Sequence, residues 1–401
     1  MPNILLTGIT SCESRGVEAL ARSLATALTT TPDTTVTVLT QTPALDTEAL
    51  AGSGADCTAD PFVISRSWAT LRPVETEPHR RERAARLLKH ADLVLATGGD
   101  LHTADYGVST PYLAVLDRAQ KLGIPTAMIG QSVGPFTDPA EQAAFTATAQ
   151  RLDLLTVRES TTLSYLTGHL ALPEETVVLS ADPAFLLEPS GPERAAQLLA
   201  AAGLDAAQEY VCLAPSRGVT RYSPITDTQH LDAITRLAAT LWRVRRRPLV
   251  LVPHCHDSRE HNDDRLLARQ IAHRLPGVPV HVLDADGTGA SDYKAVLGGA
   301  ELAISERLHA SIAALSSGTP AVALGHSPKF HGVLADTYGP AAPADDVHRD
   351  IAAFTADPTA AEHLARLNAD KLRDHLAPRI PNAIALATAD IARVRALLTN
   401  S

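Results

Sequence analysis

The sequence predicts an α/β protein of two Rossmann-like domains facing one another across a cleft. Short apolar runs alternate with longer amphipathic stretches, the rhythm of parallel strands joined by helices. The series occurs twice, with the breaker-rich EPSGPE at 188–193 between the two sets. A chain of 401 residues is long enough to bury two sizeable cores. The expected partition is an N-terminal domain over 1–189, a C-terminal domain over 194–358, and a helical segment over 359–401 that packs back on the N-terminal domain.

In the first set the strands are NILLTG (3–8), TVTVLT (35–40), DLVLAT (92–97), PTAMIG (125–130), LLTVRE (154–159) and TVVLSA (176–181). Helices at 17–29, 80–90, 110–122 and 139–151 connect most of them. The stretch 41–60 holds few large apolar residues and is expected to be a mobile surface segment. In the second set the strands are YVCLAP (210–215), RPLVLVP (247–253), PVHVLD (279–284), ELAIS (301–305) and PAVALG (320–325). The helices between them are expected near 228–246, 259–274, 291–299 and 308–317.

A formal charge of −10 argues against a nucleic-acid partner, which needs a broad basic face. It also means that any anion site must be built locally from a few cations and backbone N–H groups. No apolar run approaches the roughly 18 residues that span a bilayer. The opening MPNILLTG enters directly on a strand, without the layout of a secretion signal, which favours a cytoplasmic protein. Cys12, Cys57, Cys212 and Cys255 form no CxxC pair and are expected to be reduced thiols.

In such folds ligands sit at strand ends, and several strand ends here are dense in polar residues. SERLHASIAALSSGTP (305–320) sets Arg307 and His309 where a strand passes into an alanine-rich helix. Unpaired N–H groups and the positive end of the helix dipole suit that junction to an anion. In TGITSCESRGVEAL (7–20), Gly8 ends a strand, while Gly16 and Glu18 open the next helix. Glu18 favours the dipole there; GxGxxG is absent. LVLATGGDLHTADYG (93–107) has a glycine pair that permits close backbone approach, followed by Asp100, His102 and Asp105. In IGQSVGPF (129–136), Gln131 and Ser132 can contact sugar hydroxyls.

Three further stretches have plainer explanations. In PHCHDSREHNDD (253–264), His254, His256, Asp257 and His261 look metal-like, yet no spacing reproduces HExxH or a zinc finger. Helix capping and solvated polar groups explain most of that cluster, and no metal is expected. Arg158 in TVRES and Asp182 in ADPAF either face a ligand, pin the two domains together or pair internally, Arg158 with Glu159 or with Asp182. The basic RRERAARLLKH (80–90) reads as a solvated face, open also to a phosphorylated carrier or an anionic membrane surface.

Together these stretches resemble the polysaccharide pyruvyl transferase family. The resemblance rests on SRGVEAL, ATGGDLHTADYG, GQSVGPF, VRESTTLSYL and SADPAFLL, then LVPHCHD, SERLHASIAALSSGTPAVAL and SPKF, in family order from residue 3 to about 339. It implies a glycosyltransferase-B-like architecture and transfer of the pyruvyl group of phosphoenolpyruvate to sugar hydroxyls, usually as a cyclic ketal. It implies that His309, in the family's RLH element, binds the donor and is a candidate catalyst. It also implies donor contacts for Arg217 in LAPSRG and His254 after LVLVP, with Lys329 in SPKF as a further candidate.

That donor carries a phosphate and a carboxylate on three carbons, so it needs cations around a compact pocket. Arg307 can grip either group bidentately, and imidazole exchanges a proton near neutral pH. The reaction needs a proton delivered to the methylene carbon, attack by a sugar hydroxyl and departure of phosphate; no cofactor is required, phosphoenolpyruvate being a co-substrate. The expected assignment puts the donor on the second domain and the acceptor on the first. Asp100, His102, Gln131, Ser132 and Glu18 are the acceptor candidates, and His102 or Asp100 is placed to remove the attacking proton. The acceptor sugar and the oligomeric state are not legible, and a lipid-linked acceptor would bring peripheral membrane contact. Ser14 and Val17 depart from the family's usual asparagine and smaller or acidic residue, which bears on the acceptor side. The rivals are a nucleotide-sugar glycosyltransferase or epimerase on the same architecture, and a non-catalytic sugar-binding protein.

Overall fold

The computed structural model describes residues 1–30, 34–63, 75–106 and 108–399. Of the stretches singled out above, Gly107 and the last two residues of the C-terminal segment lie outside them. The chain forms two compact units. The first comprises Met1–Cys12, Val17–Leu186 and Ala383–Ser401; the second comprises Glu13–Gly16 and Leu187–Asn382.

The strands of the first unit are β1 (Asn3–Ile9), β2 (Thr35–Thr40), β3 (Ala55–Ala59), β4 (Leu93–Ala96), β5 (Gly99–His102), β6 (Thr126–Val133), β7 (Leu154–Val157) and β8 (Val177–Leu179). They pair in parallel in the order β3-β2-β1-β4-β6-β7-β8, with β5 beside β6. The twofold alternation of side chains along each strand divides the apolar residues between two cores, one per face. Ile4, Leu6, Leu93 and Leu95 pack on one side with Leu24 and Leu28. Leu5 and Val94 pack on the other with Leu113, Leu116 and Phe145. Both faces are therefore covered, as parallel sheets require.

The predicted C-terminal helical region consists of Ala360–Ala365, Ala369–Leu376 and Ile380–Thr399. From Ala383 the last helix belongs to the first unit, where Ile391 and Val394 join the core with Leu24 and Leu28. Asp390 is buried within that face and accepts a 2.6 Å hydrogen bond from the Thr156 hydroxyl.

The stretch 41–60 is not the mobile segment expected. It holds the helix Pro43–Ala49 and the strand β3. Order comes from hydrogen bonding rather than from large apolar side chains. The buried Asp46 carboxylate accepts the Cys12 N–H at 2.9 Å, the Thr42 hydroxyl at 3.0 Å and the Thr40 hydroxyl. Proline opens the helix at a position whose N–H would lack an intrahelical partner.

The second unit contains β9 (Val211–Ala214), β10 (Leu249–Leu251), β11 (Val280–Val282), β12 (Leu302–Ser305), β13 (Ala321–Gly325) and β14 (His348–Asp350). All pairings are parallel, in the order β11-β10-β9-β12-β13-β14. Numbered within the unit this is 3-2-1-4-5-6, the Rossmann order. The direction of winding reverses between β9 and β12, both of them buried on each face. Their carboxyl ends open side by side, where such sheets bind ligands.

Candidate anion site of the second unit

The chain leaves β9 into Ser216 and Arg217, and leaves β12 into Glu306 and Arg307. Arg307 is the N-cap residue of the helix Leu308–Leu315, so the predicted strand-to-helix junction is present and His309 lies in its first turn. Ser305 closes the turn: its hydroxyl accepts the Arg307 N–H at 3.0 Å and donates to the Arg307 carbonyl at 2.7 Å.

Two buried carboxylates lock the junction. Asp264 accepts Nε of Arg307 at 2.9 Å on one oxygen and Nη2 at 2.8 Å on the other, and also the Arg217 backbone N–H at 2.8 Å. Burial pushes this carboxyl up, against the pull of the guanidinium. Glu306 accepts the Ser216 N–H at 2.7 Å and pairs with His230 Nε2 at 2.7 Å. Burial alone would lower the His230 pKa, but the adjoining Glu306 outweighs it and raises it. Arg217, Arg307 and His309 are half-buried, whereas Asp264, Glu306 and His230 are buried. The guanidinium plane of Arg307 is thus fixed from beneath by a bidentate fork.

His254 completes the cluster. Its imidazole is held well below its ordinary pKa, first by burial and then by His309, Arg307, Arg15 and His256. Its Nδ1 is buried without a hydrogen-bond partner, and the ring lies 5.8 Å from that of Tyr293. Lys329 is buried in the first turn of the helix Pro328–Tyr338, at the carboxyl end of the adjacent strand β13.

The segment Glu13–Gly16 belongs to this unit. The Arg15 N–H donates to the His254 carbonyl at 3.0 Å, and the His256 N–H donates to the Glu13 carbonyl at 2.9 Å. The Arg15 guanidinium lies 3.3 Å from His256 Nδ1. Gly16 abuts His309: a Cβ there would stand 2.5 Å from the imidazole Nδ1 and 2.8 Å from Cγ. No side chain fits at position 16 while His309 keeps its place.

Elsewhere in PHCHDSREHNDD, Asp257 is held by its neighbours in the same stretch. Asp257 accepts Nε of Arg259 at 2.7 Å and the Asn262 amide at 2.6 Å. Among the described residues no three His, Cys, Asp or Glu side chains are grouped to hold a metal ion.

The candidates of the first unit are differently placed. Ser132 donates to Glu159 at 2.9 Å and accepts from Arg158 Nε at 2.7 Å, while Arg158 Nη1 reaches Asp182 at 2.6 Å. The internal Arg158–Asp182 pair weighed from the sequence is therefore present. Gln131 donates to the Thr97 carbonyl. His102 is buried with its ring 5.2 Å from Phe145, and burial lowers its pKa to about 4. Glu18 is buried 3.9 Å from Arg22. Asp100, on β5, is half-buried, the most accessible of the five.

Sequence reasoning brought Arg217, Arg307, His309 and His254 to one place. It passed over Asp264, Glu306, His230 and Arg15. Glu306 had a signal, an acid directly preceding the cation in SERLH; Asp264 lies 43 residues from Arg307 and had none.

Comparison with known proteins bears on this geometry. The family described as "Polysaccharide pyruvyl transferase" matches residues 31–328. The amylovoran biosynthesis protein AmsJ of Erwinia amylovora is 24% identical over 258 residues, 62% of this chain and 60% of that protein. The chain thus spans about 60% of the length of that curated relative. Among solved structures, the UDP-GlcNAc 2-epimerase of Methanocaldococcus jannaschii superposes with a TM-score of 0.62 at 13% identity, covering 99% of each chain. That of Neisseria meningitidis gives 0.59 at 14% identity, covering 100% of each. At such identities the likeness establishes the glycosyltransferase-B-like fold alone.

Proposed function

Because the chain belongs to the polysaccharide pyruvyl transferase family, we propose that it moves the pyruvyl group of phosphoenolpyruvate onto a pair of sugar hydroxyls as a cyclic ketal, releasing phosphate. The observation that carries this reading is the guanidinium of Arg307, forked onto buried Asp264 beside Arg217 and His309 where the sheet reverses. A preorganised cation loses little freedom on meeting an anion. Arg15 and Arg307 supply positive charge locally in a protein of net charge −10, as a doubly acidic donor demands.

In the proposed sequence, His309 as its imidazolium gives a proton to the methylene carbon of the donor, and positive charge develops at the adjacent carbon. One sugar hydroxyl bonds to that carbon and gives its proton to the now neutral His309, which restores the imidazolium. The second hydroxyl then attacks as the carbon–oxygen bond to phosphate breaks, and its proton leaves with the phosphate. Arg307 and Arg217 offset the charge on the departing group. His254, neutral by burial and neighbouring cations, is suited to hydrogen bonding rather than to charge pairing.

Donor identity is tested by thermal shift. Phosphoenolpyruvate is expected to raise the unfolding midpoint and uridine diphosphate to leave it unchanged, since only a ligand bound by the native state stabilises it. Incubation with phosphoenolpyruvate and an acceptor panel should then release phosphate and give a pyruvylated product by mass. A shift with uridine diphosphate and none with phosphoenolpyruvate would favour the nucleotide-sugar chemistry of the structural neighbours instead.

Gly16→Ala probes the placement of His309. The added methyl must displace the imidazole, and a displacement of about 1 Å costs on the order of 10²-fold in rate. The expected result is that loss in kcat with the native fold retained by circular dichroism; unchanged kcat would remove His309 from the chemistry.

A further inference from the structure

We propose that the first unit docks on a membrane surface bearing anionic lipid headgroups, through a groove between the C-terminal ends of the helices Glu77–Lys89 and Thr110–Lys121. The inference is independent of the donor assignment above. The groove has a volume of about 530 Å³. Its floor is apolar: Leu88, Ala91 and Ile124 line it and belong to or pack on the core beneath. Its rim carries Lys89, Arg118 and Lys121, and no carboxylate lines it. Leu122, which follows the second helix, lines the groove and is 62% exposed.

The three rim cations differ from Arg80, Arg81 and Arg83 of the first helix. Arg80 donates to the Pro61 carbonyl at 2.7 Å, Arg81 pairs with Glu77, and Arg83 forks onto Glu75 at 3.0 and 2.7 Å. The side chains of Lys89, Arg118 and Lys121 have no hydrogen bond or ion pair among the described residues. The helix dipole favours a cation in a last turn, but it does not account for an exposed leucine beside three unpaired cations around an apolar floor. In a protein of net charge −10 such a rim is a local reversal of sign.

A bilayer surface offers what this groove lacks on both counts: negative phosphates at the level of the rim and hydrocarbon beneath. Long basic side chains lay their stems on apolar surface while the charge stays at the headgroups. Leu122 would then enter the acyl boundary. No helix among the described residues is long and apolar enough to cross a membrane, so attachment through this groove is peripheral.

The test is co-sedimentation of the full chain with vesicles of phosphatidylcholine, alone or with phosphatidylglycerol. Binding is expected only to the anionic vesicles and should weaken with salt. Lys89→Ala and Lys121→Ala should each lower partitioning roughly fivefold, and Leu122→Ser should lower it further. All three side chains are exposed, and an unchanged thermal midpoint shows that the variants fold. Equal binding to both vesicle types, or parent-like binding by the triple variant, overturns the proposal. So does a concentration-dependent dimer without vesicles that Leu122→Ser dissociates, since a second copy would then occupy the groove.

Discussion

His309→Ala is expected to lose about 10²–10⁴-fold in kcat, the range that a positioned general acid supplies, while the protein remains folded. The side chain is half-buried in the first turn of the helix Leu308–Leu315, and alanine is the best helix former available. Truncation removes the imidazole against Gly16 without deleting an apolar core group. The cluster that fixes Arg307 is built from Asp264 and Asn262 and does not run through His309. Donor binding should therefore survive in part, so the loss belongs in kcat more than in KM. A variant with parent-like kcat and a raised KM would reassign His309 to donor binding, and parent-like values of both would remove it from the site.

Arg158→Ala is expected to cost about 3–5 kcal/mol of stability, the range for removing one member of a buried ion pair. The side chains of Arg158 and Asp182 are both 0% exposed, and Glu159 stands 3.6 Å away. Without the guanidinium, two buried carboxylates lose the cation that both of them face. The Glu159 carboxyl is already raised by burial, with Arg158 pulling it down; losing Arg158 raises it further.

A group whose pKa is raised in the folded state stabilises the fold fully below its unfolded value and loses that contribution as pH rises through the folded value. The variant should accordingly be most unstable near neutral pH and recover part of the deficit in mild acid, as read by urea unfolding at both. A loss below about 1 kcal/mol, the level of an exposed pair, would show that Arg158 does not hold this region together.

The strands were legible because a parallel sheet covered on both faces needs continuous apolar runs, and DLVLAT, PTAMIG and ELAIS supply them. What escaped was order that rests on pairing and hydrogen bonding. The strand β5 carries Asp100 and His102, and β14 is His348–Asp350, edge segments with no apolar run to announce them. Asp46 organises its helix with a buried carboxylate, which composition does not distinguish from an exposed acid. The site divides in the same way. Arg307 and His309 stand at a junction recognisable along the chain, but Asp264 reaches Arg307 through the fold.

The second unit is not one continuous stretch of chain. A gene fragment cut at the EPSGPE break would encode Arg217, Arg307, His309 and His254, and omit Glu13–Gly16. The His254 carbonyl and His256 amide would lose their partners, and the space beside His309 would open to water. Any dissection or chimera of this chain must therefore graft those four residues along with the lobe they complete.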